Sequence, residues 1–489
     1  MNMIRTEKTL RPYQEDAINK LRSSFGTGNK KVVMQGATGF GKTLVAAKII
    51  QGALAKGNRV AFTAPAITLI DQTVSAFEAE GIYDIGVMQA NHPRTNMMAK
   101  VQVCSLRTLA RRDGMLPPSL IIVDECHIQD EMIPKMMETY PDAYFVGLSA
   151  TPWAKGMGLL WDDLVVSATI GDLIKQGYLS EFRAFAPSVP DLTGVKKMAG
   201  DFNEKQLEEV MRDKKLVGDV VQTWLEKGEN RPTLCFGVNR AHAGMLKGAF
   251  EAHGISAAYC DAFTDRIEMK GIERDFRNGD VSVVCSVRKI TTGVDWPVGC
   301  IIDAAPTMSE MLHVQKIGRG LRVNPGTEDL IILDHASNSL RLGLVTDIHH
   351  SELDATPKGE RQQKTTSEKL PKPCSKCGVL HTGLICPACG HEKKPVAGVD
   401  VEDGELREVG GKEKKDRWTK EDKQRFWSMA LHLDDSRSKH GKLAKALYKS
   451  RFGVWPKGIE DARIVPDQAF MNYEKSRRIA YAKRMQKNS

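Results

Sequence analysis

Residues 32–43 read VVMQGATGFGKT. The apolar run Val32 to Met34 ends at Gln35. Gly36-Ala37-Thr38-Gly39-Phe40-Gly41-Lys42-Thr43 comes next, and the helix-forming run LVAAKIIQGALAKG follows. Strand, glycine-rich loop and helix in this order are the setting in which G-x-x-x-x-G-K-[ST] binds phosphate. Gly36, Gly39 and Gly41 let backbone N–H groups curl around phosphate oxygens without a side-chain clash. The N-terminus of the following helix adds a partial positive charge facing the same anion. Lys42 is expected to reach the β- and γ-phosphates, and the Thr43 hydroxyl to ligate Mg2+ beside a nucleotide such as ATP.

The chain around this loop has 489 residues, 41% apolar and 27% charged. That length suggests about three domains. With no apolar run of about 18 residues, no membrane span is expected. No apolar signal core stands at the N-terminus, so a cytoplasmic location is expected. Of ten cysteines, Cys104, Cys126, Cys235, Cys260, Cys285 and Cys300 are scattered and read as buried thiols. That is the pattern of a reducing compartment.

Upstream, TLRPYQ (residues 9–14) leads into a helical apolar stripe of Leu10, Tyr13, Ala17, Ile18 and Leu21. The Gln14 amide offers a donor and an acceptor together, which an adenine edge requires. Downstream, strands are expected at 59–65 and 101–105, and their C-terminal turns form the ligand-facing edge of an α/β sheet. Pro65, Ser105 and Thr108 stand there as candidates for a sugar–phosphate backbone. LIIVDECH (120–127) is a buried strand ending in two carboxylates: Asp124 for Mg2+ and Glu125 for the proton of an attacking water. YFVGLSATP (144–152) ends in the hydroxyls of Ser149 and Thr151.

Strands and helices alternate again from Thr233 to Asp334, which implies a second parallel sheet. Residues 203–226 are rich in helix formers, with apolar residues at roughly helical spacing, and read as packing. TTGVD (291–295) follows a strand. QKIGRGLR (315–322) places Arg319 and Arg322 three apart, on one face of a helix. Guanidinium groups supplied from a second lobe make phosphoryl transfer depend on closure of the two lobes.

GATGFGKT, DECH, SATP and QKIGRGLR, in this order and spacing, resemble the two RecA-like domains of superfamily 2 helicases. The resemblance implies that Arg11 and Gln14 meet the nucleotide, that Lys42, Thr43, Asp124 and Glu125 hold and hydrolyse ATP·Mg2+, and that His127, Ser149 and Thr151 couple ATP state to strand movement. It makes Arg322 the finger, Arg319 a γ-phosphate contact and Gln315 a positioner of water. Gly293 and Asp295 would join the nucleotide site to the second lobe, and Thr292 would touch nucleic acid. Phe40 departs from the small residue of many relatives. Within the superfamily, DECH and a following cysteine cluster are similar to RadD-type bacterial DNA-repair ATPases and to phage and prophage DNA helicases.

Cys374-x-x-Cys377 and Cys386-x-x-Cys389 each precede a glycine. Four thiolates suit a closed, structural Zn2+ site, and so short a ribbon is expected to depend on its metal. Residues 419–489 hold 17 Lys and Arg against eight Asp and Glu, a surplus equal to the net +9 of the whole chain. A basic, aromatic-rich tail suits a polyanion.

The expected architecture is α/β: two tandem RecA-like parallel-sheet domains (1–180 and 181–350), a linker (351–373), a zinc ribbon (374–392), a second linker (393–417) and a mainly helical basic module (418–489). The expected function is an ATP-dependent DNA helicase or translocase in phage or bacterial replication, recombination or repair. Its expected partners are single-stranded or branched DNA, and replication or recombination proteins through the C-terminal module. RNA remodelling, a restriction motor and an ATP-gated adaptor are the alternatives.

Overall fold

In the computed structural model, the described residues are 8–65, 69–89, 92–109, 116–186, 190–198, 200–287, 296–324, 326–357, 370–392, 419–436, 441–452, 454–467, 470–471, 473–474 and 477–478. Thr68, Thr292, Gly293, Asp295, most of both linkers, Trp418 and the basic run 483–487 lie outside them. The chain divides into two units, residues 1–396 and 397–489.

The first unit holds two parallel sheets. The strands of the first are β1 (Lys31–Gln35), β2 (Val60–Ala64), β3 (Ile85–Met88), β4 (Val101–Ser105), β5 (Leu120–Asp124), β6 (Tyr144–Ser149) and β7 (Asp163–Val166), in the order β3-β4-β2-β5-β6-β1-β7. Every residue of β2 is buried, and so are the first four of β5. Such runs without alternation are what a sheet covered by helices on both faces demands. β1 lies between β6 and β7, with Gln35 level with Ser149. This register sets the phosphate loop beside the ends of β5 and β6.

The second sheet begins with β8 (Glu181–Phe185). A short antiparallel hairpin, β9 (Lys197–Met198) and β10 (Asp201–Phe202), follows. Then come β11 (Thr233–Phe236), β12 (Ala257–Cys260), β13 (Val283–Ser286), β14 (Cys300–Asp303) and β15 (Asp329–Asp334). The sheet order is β12-β13-β11-β14-β15-β8. The helix-rich segment 203–226 forms two helices, Glu204–Met211 capped by Asn203, and Lys214–Lys227. Asp201 accepts from Thr307 Oγ1 (2.6 Å) and Met308 N (2.7 Å), which pins the hairpin to the loop after β14. No periodicity in the sequence marks that contact.

All six scattered cysteines are buried free thiols. Cys374 and Cys386 pack in the same core cluster as Phe185, Trp224, Ile331 and Leu333. The cysteine ribbon, with its short strands β16 (Lys372–Pro373) and β17 (Leu380–His381), is therefore part of the second lobe. The ribbon, expected to depend on its metal, also leans on a large apolar core.

The second unit is helical. Helices Lys420–Ser436 and Lys442–Phe452 enclose Phe426, Trp427, Leu431, Leu447, Tyr448 and Phe470. The buried Asp434 of the first helix accepts from Gly441 N (2.6 Å) and Ala444 N (2.7 Å) and so ties it to the start of the second. Among the described residues, no helix is long and apolar enough to cross a membrane.

Candidate functional site between the two lobes

The phosphate loop is shaped by left-handed backbone at Gly39 (φ +83°) and Gly41 (φ +84°), conformations that exclude most side chains. Phe40, between them, is fully buried and packs edge-on against Tyr13 at 4.9 Å. The residue that departs from the superfamily pattern is thus a hydrophobic anchor for the loop. Gln14, 3% exposed, donates from Nε2 to Phe40 O (2.7 Å) and accepts Arg11 N at Oε1 (2.9 Å). Both ends of the amide are engaged within the protein, so it braces the loop. The Arg11 guanidinium lies 4.7 Å from the Tyr178 ring centroid and donates to Tyr13 Oη (3.0 Å).

Lys42 folds over the loop and donates to Gly36 O at 3.1 Å. It acts electrostatically on Asp124, whose carboxyl is nevertheless pushed up to about 6, first by burial and then by the charge of Glu125. A buried carboxyl whose charge is under-compensated suits a cation beside it. Asp124 also accepts Glu125 N at 3.0 Å, and Glu125 sits at φ +50°, rare for a residue with a side chain. Such strain is held where surrounding structure dictates it, and here it turns the second carboxylate out of the strand line.

His127 links the lobes. Its Nδ1 lies 2.8 Å from Ser149 Oγ and 3.3 Å from Glu125 Oε2. Its Nε2 lies 3.1 Å from Gln315 Nε2, which also donates to Thr151 Oγ1 at 2.9 Å. The Gln315 nitrogen can only donate, so His127 Nε2 accepts and the ring proton sits on Nδ1. Burial holds this imidazole below its ordinary pKa, against the pull of Glu125, which agrees with a neutral ring. Ser149 Oγ in turn accepts Thr151 N at 3.0 Å. One network thus runs from the strand-end carboxylates through His127, Ser149 and Thr151 to Gln315.

The arginine stretch is arranged differently from its sequence reading. The helix Glu310–Gly318, capped by Ser309, stops before Arg319, which is its C-cap. Arg322 lies beyond the helix, paired antiparallel with Leu179 in a single bridge, and Ser180 N donates to Leu321 O at 2.8 Å. The two arginines therefore do not share a helix face. The end of the helix lies close against the phosphate loop. A Cβ on Gly318 would stand 2.7 Å from Thr38 Oγ1, and one on Gly39 would stand 3.0 Å from Leu179 Cδ2 and 3.7 Å from Arg322 Cγ. Two glycines, one from each lobe, let the helix end and the Arg322 stem abut the phosphate loop. Behind them, buried Lys316 donates to Asp303 and to Ala305 O (3.0 Å), which fixes the helix on the sheet. Leu179 and Thr38 carry no chemistry in the sequence and were recognisable only through these contacts.

Pro65, Ser105 and Thr108 stand at the C-terminal ends of β2 and β4, where Ser105 Oγ and Thr108 Oγ1 are 2.9 Å apart.

The four ribbon sulfurs converge. Cys374 and Cys389 Sγ are 3.7 Å apart, Cys377 and Cys386 Sγ 3.6 Å, and all four lie within 4.8 Å of one another. Ligands about 2.3 Å from a tetrahedral Zn2+ stand roughly 3.8 Å apart, so the cluster fits that ion.

Comparison with known proteins agrees with this geometry. Residues 7–154 match the family described as type III restriction enzyme, res subunit, and residues 214–324 match the helicase conserved C-terminal domain. A 51.5 kDa protein of a Lactococcus phage is 27% identical over 369 residues, covering 74% of this chain and 78% of its own length. IRC3 of Saccharomyces cerevisiae, assigned by name as an ATP-dependent helicase, is 29% identical over 362 residues, 66% of this chain and 51% of the yeast protein. This chain thus spans about half of the yeast relative. The ATP-dependent Type ISP restriction-modification enzyme LlaBIII, solved bound to DNA, superposes with a TM-score of 0.51 at 18% identity, covering 73% of this chain and 28% of that one. At that identity the likeness is one of fold.

Proposed function

We propose, for a chain that carries both motor domains of a superfamily 2 helicase, that it is an ATPase that moves along DNA. The observation that carries this reading is the hydrogen-bonded path from Glu125 and His127 to Gln315, because it ties the hydrolytic end of one lobe to the arginine stretch of the other.

In this reading Lys42 and the loop amides bind the triphosphate. Thr43 and Asp124 would hold Mg2+, which neutralises phosphate charge when bound. Glu125 takes the proton of the attacking water, and Gln315 helps orient that water. Arg322, whose stem already meets Gly39, and Arg319 stabilise charge on the transferring group. These arginines come from the second lobe, so hydrolysis is complete only when the lobes close, and its products release them. Gln14, which also braces the loop, and Arg11 would meet the nucleotide, Gln14 at its adenine. Gly293 and Asp295 would connect this cycle to the second lobe. Pro65, Ser105, Thr108 and Thr292 would form a track for a sugar–phosphate backbone. The ribbon would hold a structural Zn2+.

DNA is preferred because the structural relative LlaBIII was solved on DNA. One relative is a phage protein, and we extend the proposal to a place in phage or bacterial DNA replication, recombination or repair, inside the bacterial or infected cell. A second reading, the motor subunit of a restriction system, is favoured by the description of the matching family and by LlaBIII. The test is ATP turnover with no nucleic acid, single-stranded DNA, forked DNA and RNA. Stimulation by DNA that Glu125→Gln abolishes supports the proposal, and stimulation by RNA alone refutes its DNA part.

A further inference from the structure

The helix Lys442–Phe452, KLAKALYKSRF, contains no acidic residue. It buries Ala444, Leu447 and Tyr448 in the core of the second unit. Lys442, Lys445 and Lys449 follow at helical spacing and are all exposed, so they form one stripe opposite the buried face. At the end of this stripe stands Trp455, 57% exposed, with Lys449 Nζ 4.1 Å from its ring centroid. Val454, beside it, is also exposed. Nearby in the same unit, Arg451 and Arg477 lie 5.0 and 5.4 Å from the Tyr473 ring, and Tyr473 Oη donates to Ser450 Oγ at 3.2 Å. Arg478 is exposed next to Arg477.

An exposed tryptophan costs solvation that an ordinary helical surface avoids, and here the unit keeps one where its cations gather. Its companion Trp427 shows the ordinary solution, buried and donating from Nε1 to Asp461 at 3.0 Å. Lysines at regular spacing suit phosphates. An aromatic face suits a base only where that base is unpaired and can splay out of its strand. A duplex would engage the lysines and leave the indole unused.

We infer that this face of the C-terminal unit is a nucleic-acid site of its own: Lys442, Lys445 and Lys449 track the phosphates of a single strand, and Trp455 stacks one of its bases. The inference extends the motor reading but does not need it, because it concerns binding without ATP.

The test uses the full chain without nucleotide. Fluorescent oligo(dT) and oligo(U) are titrated at several salt concentrations, with short duplex DNA for comparison. All the substituted residues are exposed, so the fold is expected to persist, and ATP turnover without nucleic acid should stay unchanged. Lys445→Gln with Lys449→Gln should weaken single-strand binding about tenfold and lower the salt slope by about 1.4, at roughly 0.7 per phosphate contact on a single strand. Trp455→Ala should weaken it about fivefold or more with the slope unchanged, and Trp455→Phe should recover most of that loss. Equal effects with oligo(dT) and oligo(U) assign the site to single strands of either sugar, and an effect with one alone assigns it to that sugar. Wild-type affinity and slope in both the lysine and the Trp455→Ala variants would overturn the inference. So would a Trp455→Ala loss as large on duplex as on oligo(dT). Absence of stimulated ATP turnover would instead count against the motor reading and leave these binding results standing.

Discussion

Gln315 Nε2 of the second lobe donates to Thr151 Oγ1 of the first at 2.9 Å, across 164 residues of chain. The same nitrogen donates to His127, so one amide senses two residues attached to the hydrolytic strands. Gln315→Ala leaves His127 Nε2 and Thr151 Oγ1 without this donor and removes the link between lobes. ATP turnover in the presence of DNA should fall by about 10- to 100-fold, while nucleotide affinity, set by the phosphate loop, changes little. Separate measurement of kcat and of nucleotide Kd checks the split. An equal loss in both would place Gln315 in nucleotide binding.

Arg322 and Arg319 should differ. Arg322 has its stem against Gly39, whereas Arg319 caps its helix. Arg322→Ala is expected to lower kcat by about 10³-fold, the scale of an arginine finger, with ATP still bound. Arg319→Ala should lower it less. Single-turnover hydrolysis separates the two.

The approach of the lobes rests on Gly318. Gly318→Ala puts a methyl group 2.7 Å from Thr38 Oγ1, an overpacking that costs about 1–3 kcal/mol or pushes the lobes apart. Turnover should drop while the folded chain persists. Adding Thr38→Ala removes the crowded hydroxyl and should restore part of the activity. Failure of this second change to rescue would show that Gly318 matters for another reason.

Metal removal should reach the motor. Cys386 is buried in the same cluster as Phe185 and Trp224 of the second lobe. Chelation of zinc, or Cys386→Ser, should lower the melting temperature of the second lobe and reduce ATP turnover in parallel. An unchanged transition with a lost metal signal, read by elemental analysis, would show the ribbon to be energetically separate.

Acid should weaken the second lobe before the first. Burial lowers His242 to about 4, and its Nδ1 accepts Val238 N at 3.2 Å, which requires the neutral ring. His335 is likewise lowered to about 4 by burial. The unfolded chain takes up these protons near pH 6.5 and the folded one near pH 4. Their stability is thus fully present above pH 6.5 and lost as pH falls toward 4, by up to about 3 kcal/mol each. His242→Asn, which keeps an acceptor in place of Nδ1, should flatten that slope in denaturant unfolding measured across pH.

Much of this was legible in the chain. Buried strands such as LIIVD and CIID have no alternative reading at their length, and β12 and β14 lie where their apolar runs end. The phosphate loop, the acidic pair and the four cysteines are local patterns whose spacing carries their geometry. Contacts between distant segments were not legible. Nothing around Leu179 marks it as the partner of Arg322, and nothing in 197–202 predicts a hairpin held by Thr307. The arginine stretch departs from its sequence reading because helical spacing continues past Gly318, whereas the helix ends there and Arg322 pairs with Leu179. The packing of the ribbon was not legible because its apolar partners lie in β8, β15 and the Lys214–Lys227 helix, remote in sequence.

The central claim is motion along DNA driven by ATP, and streptavidin displacement from an end-biotinylated DNA strand tests it most directly. The account predicts displacement that requires hydrolysable ATP, disappears in Glu125→Gln and falls sharply in Gln315→Ala. DNA-stimulated hydrolysis with no displacement from either strand end would contradict it, and would make the protein an ATP-gated clamp on DNA.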